Sequence, residues 1–263
     1  MASTAELPKN YAVSSSSPSR ADDRETLSSW SWLLIVALFA AAMLLQQRLP
    51  LNLDVSWLLV AGERVLDGER LYVDIVEINP PMAVLAYLPA IALARATGLD
   101  SAVVTDGLVL TLAAVSLLAA CRILRLSAKL DNVQLSFLAV WAVVVVAILP
   151  MNVFAQREHI ALLTFLPALA AYSLRSNREP LPIWAILVAG VGAAMTLAFK
   201  PYFAVPAIMC VAFAVARSRS WRVLFSTENL IMGGLVTIAP LIVLFLVLQR
   251  YWKGGMLLGS IAN

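Results

Sequence analysis

The sequence predicts an all-α protein, a polytopic bundle of about seven transmembrane helices, on three observations. Of 263 residues, 61% are hydrophobic and only 13% charged, and the mean hydropathy is +0.86; soluble domains carry roughly a quarter charged residues. Apolar runs recur at lengths that match the roughly 30 Å hydrocarbon layer. The Lys and Arg residues between those runs fall mostly in alternate loops, as the positive-inside rule requires.

Residues 1–29, with "SSSSPSR" and "ADDRET", are too polar to bury a core and read as a disordered cytoplasmic tail. Residues 30–263 form the membrane module. The first apolar run begins only at Trp30 and is long enough to span, so it reads as an uncleaved anchor. Spans are expected near Trp30–Gln47, Ala102–Cys121, Val133–Phe154, Ile160–Leu174, Ile183–Phe199, Tyr202–Ala216 and Asn229–Gln249. Several are short, so their flanking cations must snorkel to the interface. An eighth run, Met82–Ala94, follows Pro80 and Pro81, contains Pro89 and stops at Arg95. Its length suits a juxtamembrane helix lying in the interface, with Asn79 as its cap and Pro80 at its first helical position.

With the N-terminus inside, seven spans put Lys9, Arg20, Arg24, Arg122, Arg125, Lys129, Arg175, Arg178, Arg217, Arg219 and Arg222 in the cytoplasm, 11 of the 19 cations. Eight spans with an inside N-terminus invert that partition. Eight spans with an outside N-terminus match it, and only the shortness and prolines of the eighth run decide against that version. Residues 49–101 then form the first extracytoplasmic loop. Within it, Asp54–Leu66 carries a Trp57, Leu58, Ala61, Val65 stripe suited to a helix on the bilayer surface, followed by a turn at Asp67–Glu69 and the extended "LYVDIVEINPP". "MNVFAQREH" (Met151–His159) and "FKPYF" (Phe199–Phe203) face the same side.

An acidic residue soon after the first span, then "VLDGERLYVDIVEINPPMAVLAYLPAIALARATG", resembles the first outer loop of the GT-C membrane glycosyltransferases. That superfamily includes the protein O-mannosyltransferases and the transferase of aminoarabinose to lipid A. "QREHIALLTFLPAL" and "LAFKPYF" are similar to later landmarks of bacterial members of unassigned substrate. The resemblance runs from about Trp30 to Leu248. It implies inverting transfer of a sugar from a polyprenyl-phosphate donor to a glycan, lipid or protein acceptor at the extracytoplasmic face of the cell (inner) membrane.

Such chemistry needs a carboxylate to take the acceptor hydroxyl's proton and cations to stabilise the departing phosphate. The resemblance makes Asp54 the catalytic base, with Asp74 and Glu77 as acceptor or orienting groups. Arg157, His159 and Lys200 become the donor-phosphate ligands, and Glu158 a possible second acid. The resemblance implies no definite cofactor; some members of the superfamily use a divalent metal and many do not. Each residue also has a structural role open to it: Asp54 as a helix cap, Asp74 and Glu77 as solvated loop acids, Arg157 and Lys200 as interface anchors, His159 as a satisfied interface residue. Asp106, just inside the second span, needs a partner or a wet cavity.

Cys121 and Cys210 sit in apolar segments without metal-ligand spacing and read as packing residues. No basic face suggests nucleic acid. Two other functions fit the same spans: a transporter or scaffold, whose path the ionisable span ends would line, and a catalytically silent or fragmentary relative, because the family usually continues beyond the "GGMLLGSIAN" that ends this sequence.

Overall fold

The computed structural model describes residues 29–127 and 129–238; the expected tail up to residue 28 and the second half of the last expected span lie outside them. The described residues are helical, with one isolated β-bridge, Leu71 to Ile75, and no strand among them. In chain order the helices are α1 (Ser29–Gln46), α2 (Leu53–Leu66), α3 (Pro81–Leu85), α4 (Leu88–Thr97), α5 (Ser101–Leu124), α6 (Asn132–Val143), α7 (Arg157–Ser176), α8 (Ile183–Phe199), α9 (Ala204–Ser218) and α10 (227–238). Two stretches, Ser101–Leu124 and Pro201–Ser218, are long and apolar enough to cross a membrane, while α1, α6 with its extension, and α8 are shorter apolar helices.

Local chemistry accounts for the boundaries. The Asp100 side chain accepts the backbone N–H groups of Ala102 and Val103 and starts α5, satisfying donors a helix start leaves orphaned. Asp131 and Gln134 form a reciprocal capping box on α6. The run expected as one span at Val133–Phe154 is not one α-helix. It passes through a π-helical turn, Val144–Ile148, and ends at Pro150 before a short 3₁₀ turn, Met151–Val153. The juxtamembrane run also divides, into α3 and α4, where Pro89 enters the first turn of α4. Its expected cap is corrected too: Pro80 occupies the cap position and Pro81 the first turn, because the Asn79 side chain is drawn away by Glu77 (2.6 Å).

Helix α7 is the centre of the bundle, packing on α5, α8 and α9. The α7–α8 seam is built from small residues. A Cβ on Gly192 would lie 2.3 Å from the Thr164 carbonyl oxygen, so only glycine permits that approach. The Thr164 and Thr196 hydroxyls meet at 2.9 Å in the same seam, and Thr196 also reaches the Ala161 carbonyl (3.0 Å). By contrast the outward faces of α1, α6 and α9 expose Trp30, Val36, Phe137, Trp141, Ile208, Met209 and Phe213.

Successive long helices run in alternate directions, so their connections gather at two ends. One end holds the α1–α2 turn, the α6–α7 turn and the α8–α9 turn, joined by Asn52 Nδ2 donating to the Asn152 carbonyl (3.0 Å) and Tyr202 reaching Glu158 (3.2 Å). The other end holds the α5–α6, α7–α8 and α9–α10 connections. It is joined by Ser127 to Glu179 (2.9 Å), Lys129 to Asn177 (2.6 Å) and Arg178 to the Ser218 carbonyl (2.7 Å).

Candidate functional site at the Asp54 end

Helix α2 is capped by Asn52, whose side-chain oxygen accepts the Asp54 N–H at 2.8 Å. That frees the Asp54 carboxylate from the capping role the sequence left open to it. It turns instead to Arg157 at the start of α7, 103 residues away, in a two-pronged ion pair: Nη2 lies 2.8 and 2.9 Å from the two carboxylate oxygens and Nε 3.2 Å from Oδ2. The geometry is the fork that guanidinium and carboxylate form best. Burial is uneven, with the Arg157 side chain 8% exposed and Asp54 32%. A cation at the positive end of a helix dipole is unfavourable by itself, so α7 begins with Arg157 only because Asp54 meets it. The Arg157 Nη1 atom is buried and has no hydrogen-bond partner.

The next residue carries a second pair. Glu158 Oε1 lies 2.5 Å from Lys200 Nζ and accepts the Tyr202 hydroxyl at 3.2 Å. Lys200 Nζ sits 5.3 Å from the centre of the Tyr202 ring, and Glu158 Oε2 is buried without a partner. Burial works to lower the Lys200 ammonium's pKa, but its bonds to Glu158 and Tyr202 prevail and hold it above the ordinary lysine value. Lys200 therefore stays charged.

His159 stands differently from the expectation that it binds phosphate. Its Nδ1 accepts the Ala155 N–H (3.1 Å) and its Nε2 lies 2.8 Å from the Val146 carbonyl. That arrangement assigns the ring proton to Nε2 and leaves neither nitrogen for a ligand. The reason is local. Pro150, four residues after Val146, has no N–H to give the Val146 carbonyl, and His159 supplies the missing donor. Tyr87 donates to the Ala155 carbonyl at 2.7 Å. Together Tyr87 and His159 pin Ala155, which lies in the left-handed region at φ 60°, and so set the direction in which α7 starts. His159 is a positioning residue for Arg157.

The other loop acids are engaged among themselves. Asp74 accepts from the Arg70 N–H (2.9 Å) and Nε (3.0 Å), and these bonds hold its carboxyl below the ordinary value. Asp67 pairs with Arg95 (2.9 Å) and Glu69 with Arg64. Glu77 is buried and accepts the Trp57 indole (2.7 Å), both backbone N–H groups of Ile78 and Asn79 (2.9 Å each) and the Asn79 amide. Burial pushes the Glu77 carboxyl up, yet those four donors outweigh it and hold the group below its ordinary value. Glu77 organises the loop, and Asp74 closes a turn within it.

Of the residues expected to converge, Asp54, Arg157, Glu158 and Lys200 come together, whereas Asp74 and Glu77 do not join them. Tyr87 and Asn52 complete the site without having been candidates, and Tyr202, which the sequence suggests is an interfacial aromatic, joins them. Of the first two, only Asn52 had a legible signal, as a strong capping residue two positions before Asp54. Among the described residues no group of three or more His, Cys, Asp and Glu side chains is arranged so that it could hold a metal ion. No family model, curated protein or solved structure matches this chain.

Proposed function

We propose that the chain is an integral membrane glycosyltransferase that moves a sugar, with inversion, from a polyprenyl-phosphate donor to an acceptor at the extracytoplasmic face. The observation that carries this reading is the meeting of Asp54 with Arg157, beside Glu158 and Lys200, from three distant segments at one end of the bundle. Membrane embedding is supported by the outward apolar faces of α1, α6 and α9, far more contiguous than a soluble surface carries. The alternating connections of the long helices support a seven-span arrangement. The concentration of Arg175, Arg178, Arg217, Arg219 and Arg222 at the far end supports placing that end in the cytoplasm.

The chemistry divides between the two pairs. Asp54, partly exposed, takes the acceptor hydroxyl's proton as the hydroxyl oxygen attacks the sugar carbon and the bond to the lipid phosphate breaks. Arg157 orients that carboxylate and offers its unpartnered Nη1 to the phosphate, and Lys200 stabilises the leaving charge. Both cations are held by acids beforehand, so no reorganisation is needed when charge develops. Asp54→Asn is expected to insert normally and to lose transfer in a membrane assay with radiolabelled prenyl-linked sugars. Full activity in that variant would remove Asp54 from the mechanism. A transporter remains the second reading because Asp106 of α5 lies buried on a small cavity of about 150 Å³ with Gln46 and Asn152. It predicts solute flux in proteoliposomes that contain no sugar donor.

A further inference from the structure

We infer that the opposite end of the bundle carries a site for a phosphate group, independent of the transfer site. A cavity of about 660 Å³ opens there between the C-terminal ends of α7 and α9 and the start of α10, a size typical of ligand sites. Arg175, Arg178, Arg219 and Arg222 line it, against one lining acid, Glu179. Arg175 is neutralised by Glu228 (2.8 Å) and Glu179 accepts from Ser127 (2.9 Å). Arg178 is steered by one bond, Nε to the Ser218 carbonyl at 2.7 Å, which leaves the rest of its fork. Arg219 and Arg222 form no ion pair among the described residues. The four lining arginines outnumber the two acids, Glu179 and Glu228, so the bowl keeps an excess of positive charge.

Backbone conformation gives an independent sign. Arg178 (φ 61°) and Arg219 (φ 50°) both lie in the left-handed region, each just past a helix end where glycine is the unstrained choice. Topology rules ask for cations on this face, but they do not ask for them at strained positions aimed into one cavity. Two side chains at such positions, with the first turn of α10 turned toward the same space, make a set of planar forks suited to phosphate oxygens. Trp221 and Phe225 are exposed beside them, as residues at a lipid–water boundary are. The phosphate belongs either to an anionic phospholipid head or to a soluble phosphate compound.

The test uses the full chain, purified in detergent and in phosphatidylcholine nanodiscs with or without phosphatidylglycerol. Native mass spectrometry reads lipid retention, and titration with inorganic phosphate reads the soluble anion. The double variant Arg219→Gly with Arg222→Gln is expected to weaken binding of at least one probe by about tenfold, since charge-assisted forks are lost. Its thermal midpoint without ligand is not expected to fall, because glycine relieves the left-handed residue. Arg217→Gln, a cation of the same face outside the cavity lining, is expected to bind as the parent does. Phosphatidylglycerol retention that inorganic phosphate does not displace assigns the lipid head; displacement assigns a soluble phosphate. Binding of neither probe by the parent chain, or equal losses in Arg217→Gln and the double variant, overturns the site.

Discussion

At the Asp54 end of the bundle the cations of the site are answered by carboxylates: Arg157 by Asp54 and Lys200 by Glu158. At the far end Arg175 is paired with Glu228, while Arg219 and Arg222 face a cavity and form no ion pair among the described residues. The first end is therefore an organised array of opposite charges, whereas the second keeps an excess of positive charge around its cavity. Similar numbers of cations at the two ends thus carry different fields, because carboxylate pairing rather than cation count sets how much positive charge is left.

The comparison is broken most severely by Asp54→Ala, which leaves the Arg157 guanidinium buried without its partner. A loss of about 3 kcal/mol is expected, read as a lower unfolding midpoint in detergent together with loss of transfer; an unchanged midpoint would show that the pair does not hold α2 to α7. Gly192→Ala attacks the seam that keeps both ends in register, where the new methyl meets the Thr164 carbonyl. Overpacking of this kind costs about 2 kcal/mol, and wild-type stability would mean that α8 shifts freely along α7. Lys200→Met tests the more exposed pair and is expected to cost about 1 kcal/mol or less while reducing turnover with the prenyl-phosphate donor.

Arg219→Gly sharpens the contrast with the opposite sign, raising stability by about 1 kcal/mol through relief of the left-handed residue. The smallest effect is a pH dependence from Glu77. Its folded carboxyl titrates below its ordinary value, so the stability it contributes is present above the unfolded carboxyl's range near about pH 4.3 and is lost as pH falls through the folded value. Glu77→Gln is expected to flatten the acid limb of a stability-versus-pH curve, and an unchanged limb would assign that slope to other carboxylates.

Much of the architecture was legible. Helix α8 has the boundaries that its apolar run marks, and α1, α5, α7 and α9 differ by a few residues at their ends, where capping by residues such as Asp100 overrides the apolar limit. The run ending at Phe154 misled because its composition is apolar throughout, while the π turn and Pro150 interrupt the α-helical hydrogen bonds regardless of hydropathy. The site was partly legible. Asp54, Arg157, Glu158 and Lys200 are polar residues at the tips of apolar helices on one predicted side, which is a one-dimensional pattern. His159 shared that pattern and still proved to serve a carbonyl that Pro150 leaves without a donor.

The order of residues marks where most helices lie, because hydrophobic run length is local and additive, but not where the Val133–Phe154 and Met82–Ala94 runs divide. The tertiary structure alone decided that Asp54 takes Arg157, that Glu77 serves its own loop and that Arg178 and Arg219 lean into one cavity. Those outcomes depend on distances of a few ångströms between residues up to 103 positions apart, and charge pairing is selected by that separation and by burial, neither of which is written in the order of the residues.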